Sequence, residues 1–149
     1  MQKSMYLNLG AMILLMFIAM FVLMYSMVDK FADIYPNINQ VYMAGLMTAP
    51  MIVIELVLMW RMYPNAKANA AIVIASVILG ILFFAAIRYQ TVVGNTQFLK
   101  SMIPHHSGAI LMCGNAPVTD QRIKDLCKTI IAGQQSEIDQ MKAILRNPR

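Results

Sequence analysis

The sequence has little charge and few acidic residues. Only 13% of its 149 residues are charged, and seven of them are Asp or Glu. An ordinary soluble domain carries about 25% charged residues, so a soluble enzyme is disfavoured. A ferritin-like di-iron oxidase needs several glutamates with Glu-x-x-His spacing. This chain has only Glu55 and Glu137, in different regions, which argues against that enzyme.

Cysteine is also scarce, and the basic residues are not clustered. The two cysteines, Cys113 and Cys127, form no CxxC motif, which argues against a thiol redox site or a zinc ribbon. They could pair in an oxidising compartment, although the short loop between them leaves that disulfide open. The net charge is +5, but no basic run is interleaved with aromatic residues in the tail, so a nucleic-acid partner is not expected.

Apolar residues, by contrast, make up 59% of the chain and fill three long blocks at residues 7–28, 41–60 and 68–87. Each block has roughly 20 residues, enough to cross a hydrocarbon core of about 30 Å. The sequence therefore predicts a membrane domain over residues 1–92 with three transmembrane helices in the lipid bilayer. The first block is too long for a signal-peptide core, so we expect it to remain as an anchor.

The short loops give the expected orientation. Lys3 precedes the first block, and Arg61 and Lys67 lie in the second loop, whereas the first loop balances Lys30 against two aspartates. The positive-inside rule then predicts a cytoplasmic amino terminus and a tail, residues 93–149, outside the cytoplasm.

Fifteen methionines stand in the chain, and many recur every four residues in the first two spans. These stripes are Met12, Met16, Met20 and Met24, then Met43, Met47, Met51 and Met59, with Glu55 in the missing position. Flexible methionines commonly fill gaps in packing. The alternative is a ladder of thioether ligands for Cu(I) or Ag(I). Glu55 marks a pathway, a partner or a proton site, or is protonated and hydrogen bonded to a neighbouring helix.

The tail predicts a helical hairpin, and the whole chain is predicted to be all-α. Asn95 or Thr96 can cap a first helix that stops at Gly114 and Asn115, and a second helix runs to about Leu145. About 50 residues cannot enclose a useful core. We therefore expect a ferritin-like half bundle that is completed to four helices in a homo-oligomer, a dimer or higher.

Soft metal ligands converge on this hairpin. At 100° per residue one face of the first helix carries Met102, His105, His106, Met112 and Cys113. On the second helix Cys127, Gln134 and Met141 are spaced by sevens. Neutral imidazole and thioether together form a donor set suited to Cu(I) and Ag(I). A packed polar core or a surface histidine pair is the alternative interpretation.

Residues 98–112 (FLKSMIPHHSGAILM) and 130–141 (IIAGQQSEIDQM) resemble the bacterial DUF305 family of ferritin-like helical proteins, some of which are periplasmic copper-binding proteins. The resemblance covers about residues 96–145. It implies a set of metal-site candidates, with Gln134 and Glu137 orienting the ligands or packing around them. These candidates are Met102, His105, His106, Met112 and Met141.

The leading hypothesis is a binding protein, not an enzyme, in a bacterial inner membrane with its metal-binding tail in the periplasm. It would hold Cu(I), or Ag(I), for resistance, buffering or delivery, with a copper efflux or chaperone protein as a partner. One alternative is copper transport, in which the methionine stripes and Glu55 line a transmembrane path. Another is a structural membrane assembly protein without metal.

Overall fold

The computed structural model describes the backbone of residues 2–147 and the side chains of residues 5–147. The side chain of Lys3, which entered the predicted orientation, lies outside this range. The regular elements of the described residues are all helical, which confirms the predicted all-α class. The main helices are α1 (Gln2–Leu23), α2 (Ile38–Leu58), α3 (Ala66–Tyr89), α4 (Asn95–Asn115) and α5 (Gln121–Arg146). Two short 3₁₀ helices, Met24–Met27 and Phe31–Asp33, lie between α1 and α2.

Three helical segments are long and apolar enough to span a membrane, as predicted: Met5–Met27, Ile38–Leu58 and Ala66–Tyr89. A helix satisfies its own backbone hydrogen bonds, which is why a long apolar run adopts this form in lipid. The third span is capped at its start by Asn65, whose side chain accepts a 3.0 Å hydrogen bond from the Ala68 amide. Gln90, which has a left-handed backbone conformation with φ of 50°, caps its end.

The chain divides into two compact units. The membrane unit contains Met1–Met24 and Asn39–Thr91, and the hairpin unit contains Tyr25–Ile38 and Val92–Arg149. The hairpin unit thus takes up the first loop, which was not predicted. When three consecutive helices all cross a membrane, the first loop and the tail emerge on the same side. The hairpin unit contains both the first loop and the tail, which agrees with that topology.

Within the membrane unit, small residues allow α2 and α3 to approach closely. A Cβ atom built on Gly45 would lie 2.4 Å from the Phe83 ring, and one on Gly80 would lie 3.3 Å from the Ala49 Cβ. A buried cluster joins residues of the first two spans and of the second loop, and Ile72 and Val73 of the third span pack against it. Its members are Leu9, Ile52, Leu56 and Tyr63.

In the hairpin unit, α4 and α5 are joined by residues 116–120 and pack along their length around a buried core of Ile103, Ile110, Ile138 and Met141. Helix α5 begins at Asp120, whose carboxylate accepts a 2.8 Å hydrogen bond from the Arg122 amide. The Arg122 side chain and amide lower the pKa of Asp120. Helix α4 continues through Pro104.

The first loop covers one side of this hairpin. Tyr35 packs against the apolar core, and a Cβ atom on Gly108 of α4 would lie 3.2 Å from the Met27 carbonyl oxygen. Residues of the first loop in the same chain therefore cover part of the hairpin core. Completion of a four-helix bundle by a second copy stays a prediction.

Candidate metal centre

At the α4–α5 interface, side chains with soft or titratable groups lie at matching positions along the two helices. The His106 Nε2 atom lies 2.8 Å from a Glu137 carboxylate oxygen. Met102 lies one helical turn before His106, and Met141 one turn after Glu137, so an antiparallel pair places the two methionines level with each other. Accordingly, Met102 packs against the buried cluster that contains Met141. We call Met102, His106, Glu137 and Met141 the seam.

Both ring nitrogens of His106 contact oxygen acceptors. Nδ1 lies 2.9 Å from the Met102 carbonyl oxygen, and Nε2 faces Glu137. A neutral imidazole carries a proton on only one nitrogen, whereas an imidazolium donates from both. The His106 side chain is 12% exposed and that of Glu137 is 55% exposed. A metal ion would therefore reach Nε2 by displacing Glu137, the partner that can turn towards solvent.

The other two predicted ligands lie elsewhere on α4. His105 is exposed, and its ring centroid is 6.2 Å from that of His106, with the ring planes at 64°. Met112 is 53% exposed. By helical register Met102, His106 and Met141 lie at adjoining levels of the α4–α5 interface, whereas His105 and Met112 lie at the surface of the described chain. Gln134 is half-buried on α5.

The two cysteines lie on either side of the turn of the hairpin. Cys113 on α4 and Cys127 on α5 are both half-buried free thiols. A hydrogen bond with the Cys127 thiol, together with desolvation, raises the pKa of the Cys113 thiol. The cysteines that the sequence singled out therefore lie on the two helices of one hairpin. Their disulfide stays a prediction.

A buried polar network fastens the first loop to this site and was missed by sequence reasoning. Asp33, which is 2% exposed, accepts a 2.8 Å hydrogen bond from the Ser107 hydroxyl and forms an ion pair with Lys142. The Ser107 hydroxyl in turn accepts a 3.0 Å bond from the Asp29 amide. Ser107 follows His106 directly, so the network also holds the backbone beside the seam. The only indication in the sequence was that the hairpin is too short to enclose its own core, so that another segment must pack against it.

In the membrane unit the methionine stripes do not share one environment. On α2, Met43 and Met47 are 38% and 39% exposed, whereas Met51 and Met59 are half-buried. The α1 stripe is half-buried throughout: Met12, Met16, Met20 and Met24. Met12 and Met59 pack against the buried cluster of this unit, which is the packing role that methionine usually has.

Glu55, the acidic residue of the second span, has a hydroxyl partner. It is half-buried and accepts a hydrogen bond from Tyr63 in the second loop. Burial, and then the Glu55 charge and this hydrogen bond, raise the pKa of Tyr63. Nearby, the Tyr6 hydroxyl donates a 2.8 Å bond to the buried Asn69 side chain, whose amide donates to the Tyr63 carbonyl at 2.9 Å. Glu55 therefore belongs to a polar network that joins the three spans and the second loop.

Across the described residues, no three or more His, Cys, Asp or Glu side chains come together in a way that could hold a metal ion. Structural zinc sites almost always use four such ligands. The seam carries one imidazole and two thioethers at adjoining levels, and such side chains are soft ligands of the kind that Cu(I) accepts.

Comparisons with known proteins agree with the resemblance in the tail. The model of a family described as a domain of unknown function, DUF305, matches residues 86–146, a range that contains α4 and α5. The chain is also 38% identical over 143 residues to the uncharacterized protein L153 of Acanthamoeba polyphaga mimivirus. That match covers 91% of this chain and 92% of the viral protein, so it extends well beyond the hairpin. No solved structure matches the chain.

Proposed function

The chain belongs to the DUF305 family, and from that premise we propose that it is a membrane-anchored protein whose hairpin unit binds Cu(I) or Ag(I). The observation that carries the proposal is the register of the seam, which sets Met102, His106 and Met141 at adjoining levels between two helices. Thioether and imidazole donors favour a soft monovalent cation. This agrees with the copper-binding role that the family resemblance implies.

Each seam residue has a distinct part in the proposal. His106 would bind the ion through Nε2, because the Met102 carbonyl accepts a bond from Nδ1 and so fixes the tautomer that leaves Nε2 as the ligand. Met102 and Met141 would supply thioethers from the two helices. Glu137 would occupy Nε2 in the absence of metal and turn away when the ion enters. Displacement of this exposed carboxylate makes binding reversible.

The proposed cellular role depends on the compartment in which the hairpin unit lies. We place the protein in a bacterial inner membrane with the amino terminus in the cytoplasm and the hairpin unit in the periplasm, acting in copper resistance, buffering or delivery. The exposed His105 and Met112 lie on the same helix as the seam and could pass the ion to a second copy, an efflux protein or a chaperone. No catalytic step is part of this role.

The test is a Cu(I) titration of the full-length protein in detergent against a coloured Cu(I) chelator. Cys113→Ser and Cys127→Ser are present throughout, so that thiols do not contribute. We expect His106→Ala and Met141→Leu each to weaken binding by more than the roughly tenfold that loss of an outer partner costs. Met112→Leu is the matched control for Met141→Leu and should bind normally, because Met112 is exposed and outside the seam. Unchanged binding in His106→Ala would overturn the proposal.

A further inference from the structure

A wide cleft opens within the hairpin unit between the first loop, the start of α4 and the end of α5. Its volume is about 1350 Å³, larger than the roughly 300–1,000 Å³ of a typical small-molecule site. None of the seam residues lines it. Its walls are formed by Ala32 and Tyr35, by residues 95, 96, 99 and 100, and by residues 142–147. We call this space the basic cleft.

Three basic side chains line the basic cleft: Lys100 from α4, and Lys142 and Arg146 from α5. Among the described residues of its walls, none is Asp or Glu. The buried Asp33 carboxylate neutralises Lys142 through their ion pair. Lys100 and Arg146 take part in none of the ion pairs of the described chain. They therefore leave two uncompensated positive charges at the cleft.

The helix ends at the basic cleft do not change this sign. Helix α4 begins there and α5 ends there, so the positive end of one helix dipole lies near the negative end of the other. The last carbonyl oxygens of α5 also have donors. The Asn147 amide donates to the Ala143 and Ile144 carbonyls at 3.2 Å, and Arg146 Nε donates to the Lys142 carbonyl at 3.3 Å. The basic side chains therefore decide that the cleft attracts an anion.

We propose that the basic cleft binds a phosphate group, with Lys100 and Arg146 as its partners from the two helices. A guanidinium offers paired N–H donors to phosphate oxygens, and an ammonium adds a compact positive charge. Arg146 uses Nε within its own helix, and its terminal nitrogens carry the remaining donors of the guanidinium. The volume of the cleft favours a phosphate that carries further groups over a bare ion.

A phospholipid headgroup is the source that the order of the chain favours. Only residues 90–94 separate the third span from α4, and Tyr35 precedes the second span by three residues. Two walls of the cleft are thus close in sequence to segments that can cross a membrane. Basic residues beside a membrane surface attract anionic lipids. A soluble phosphate would use the same two charges, so both sources are tested.

The experiment measures lipid binding to the full-length protein in detergent. Phosphatidylglycerol or phosphatidylcholine is added, and the lipid bound per chain is counted by native mass spectrometry. We expect the anionic lipid to bind more tightly than the zwitterionic one. Lys100→Gln/Arg146→Gln should weaken binding of phosphatidylglycerol by about thirtyfold, the effect of two basic residues beside an anionic headgroup.

The matched control is Lys124→Gln/Lys128→Gln, which makes the same change in net charge at exposed positions of α5 outside the cleft. This control should bind phosphatidylglycerol as the natural sequence does. If it loses the lipid as strongly as Lys100→Gln/Arg146→Gln does, binding follows net charge and the proposal is wrong. Cu(I) binding should be normal in both double variants, which separates this test from that of the seam.

Inorganic phosphate, added at constant ionic strength during thermal unfolding, tests the soluble source. Stabilisation by phosphate that is absent in Lys100→Gln/Arg146→Gln would support a phosphate site filled from solution, even without a preference between the lipids. Equal binding of the two lipids by the natural sequence, together with no stabilisation by phosphate, would overturn the proposal. That result requires no variant and so does not depend on how any variant folds.

Discussion

At the scale of single residues, Asn37 and Pro104 illustrate how the first loop completes the hairpin. Proline has no amide hydrogen, so Pro104 leaves the carbonyl of Lys100 without its usual helical donor. The Asn37 side chain, which is 5% exposed, donates a 3.3 Å hydrogen bond to that carbonyl. A loop residue thus allows proline inside a continuous helix.

This pairing predicts a coupling between two distant positions. Asn37→Ala should destabilise the protein by about 2 kcal/mol, because a buried carbonyl loses its donor. In a Pro104→Ala background the restored amide at position 104 can bond to Lys100, so Asn37→Ala should cost less there. Thermal unfolding of the four variants in detergent measures the difference. Equal costs in both backgrounds would contradict the assigned bond.

Asp33 gives a second prediction at this scale. Its carboxylate is the buried partner of Lys142, and loss of one member of a buried ion pair leaves the other uncompensated. Asp33→Asn should therefore lower the free energy of unfolding by about 3 kcal/mol. Adding Lys142→Met removes the orphaned charge and should recover much of the loss. A double variant that is less stable than Asp33→Asn would show that Lys142 does not depend on Asp33.

At the scale of elements, much of the architecture can be read from the sequence, since a 20-residue apolar run or a 3.6-residue period leaves few alternatives. The spans, the hairpin and the position of Met102 one helical turn before His106 all follow from such spacing. The roles of Asp33, Ser107 and Asn37 do not. Asp33 is 74 residues from Ser107 and 109 from Lys142. A loop carboxylate is normally solvated, so nothing local in the sequence indicates its burial.

The contact between α2 and α3 can be tested through Gly45. A side chain at this position would meet the Phe83 ring at 2.4 Å, so Gly45→Ala should destabilise the membrane unit by about 2 kcal/mol through overpacking. Gly10→Ala is the matched control, because a Cβ atom there meets nothing within 4 Å. Unfolding in detergent compares the two. Equal stability would mean that the helices are not this close at Gly45.

At the scale of the whole molecule, the candidate membrane spans and the proposed metal ligands belong to two different units of one chain. The membrane unit contains three candidate spans, of which the first two carry methionines that differ in exposure, and the hairpin unit carries the seam. Sequence spacing identifies the ligands but not their pairing. Adjacent His105 and His106 look equivalent in the sequence, and only packing against α5 gives His106 a partner in Glu137.

The central claim is that an imidazole and thioethers of the seam bind one soft ion together. X-ray absorption spectroscopy at the copper edge tests it most directly, on full-length Cys113→Ser/Cys127→Ser protein loaded with one equivalent of Cu(I). The seam predicts a first shell that contains both nitrogen and sulfur, with the nitrogen lost in His106→Ala and retained in His105→Ala. A shell of sulfur alone, or of nitrogen and oxygen alone, would contradict it.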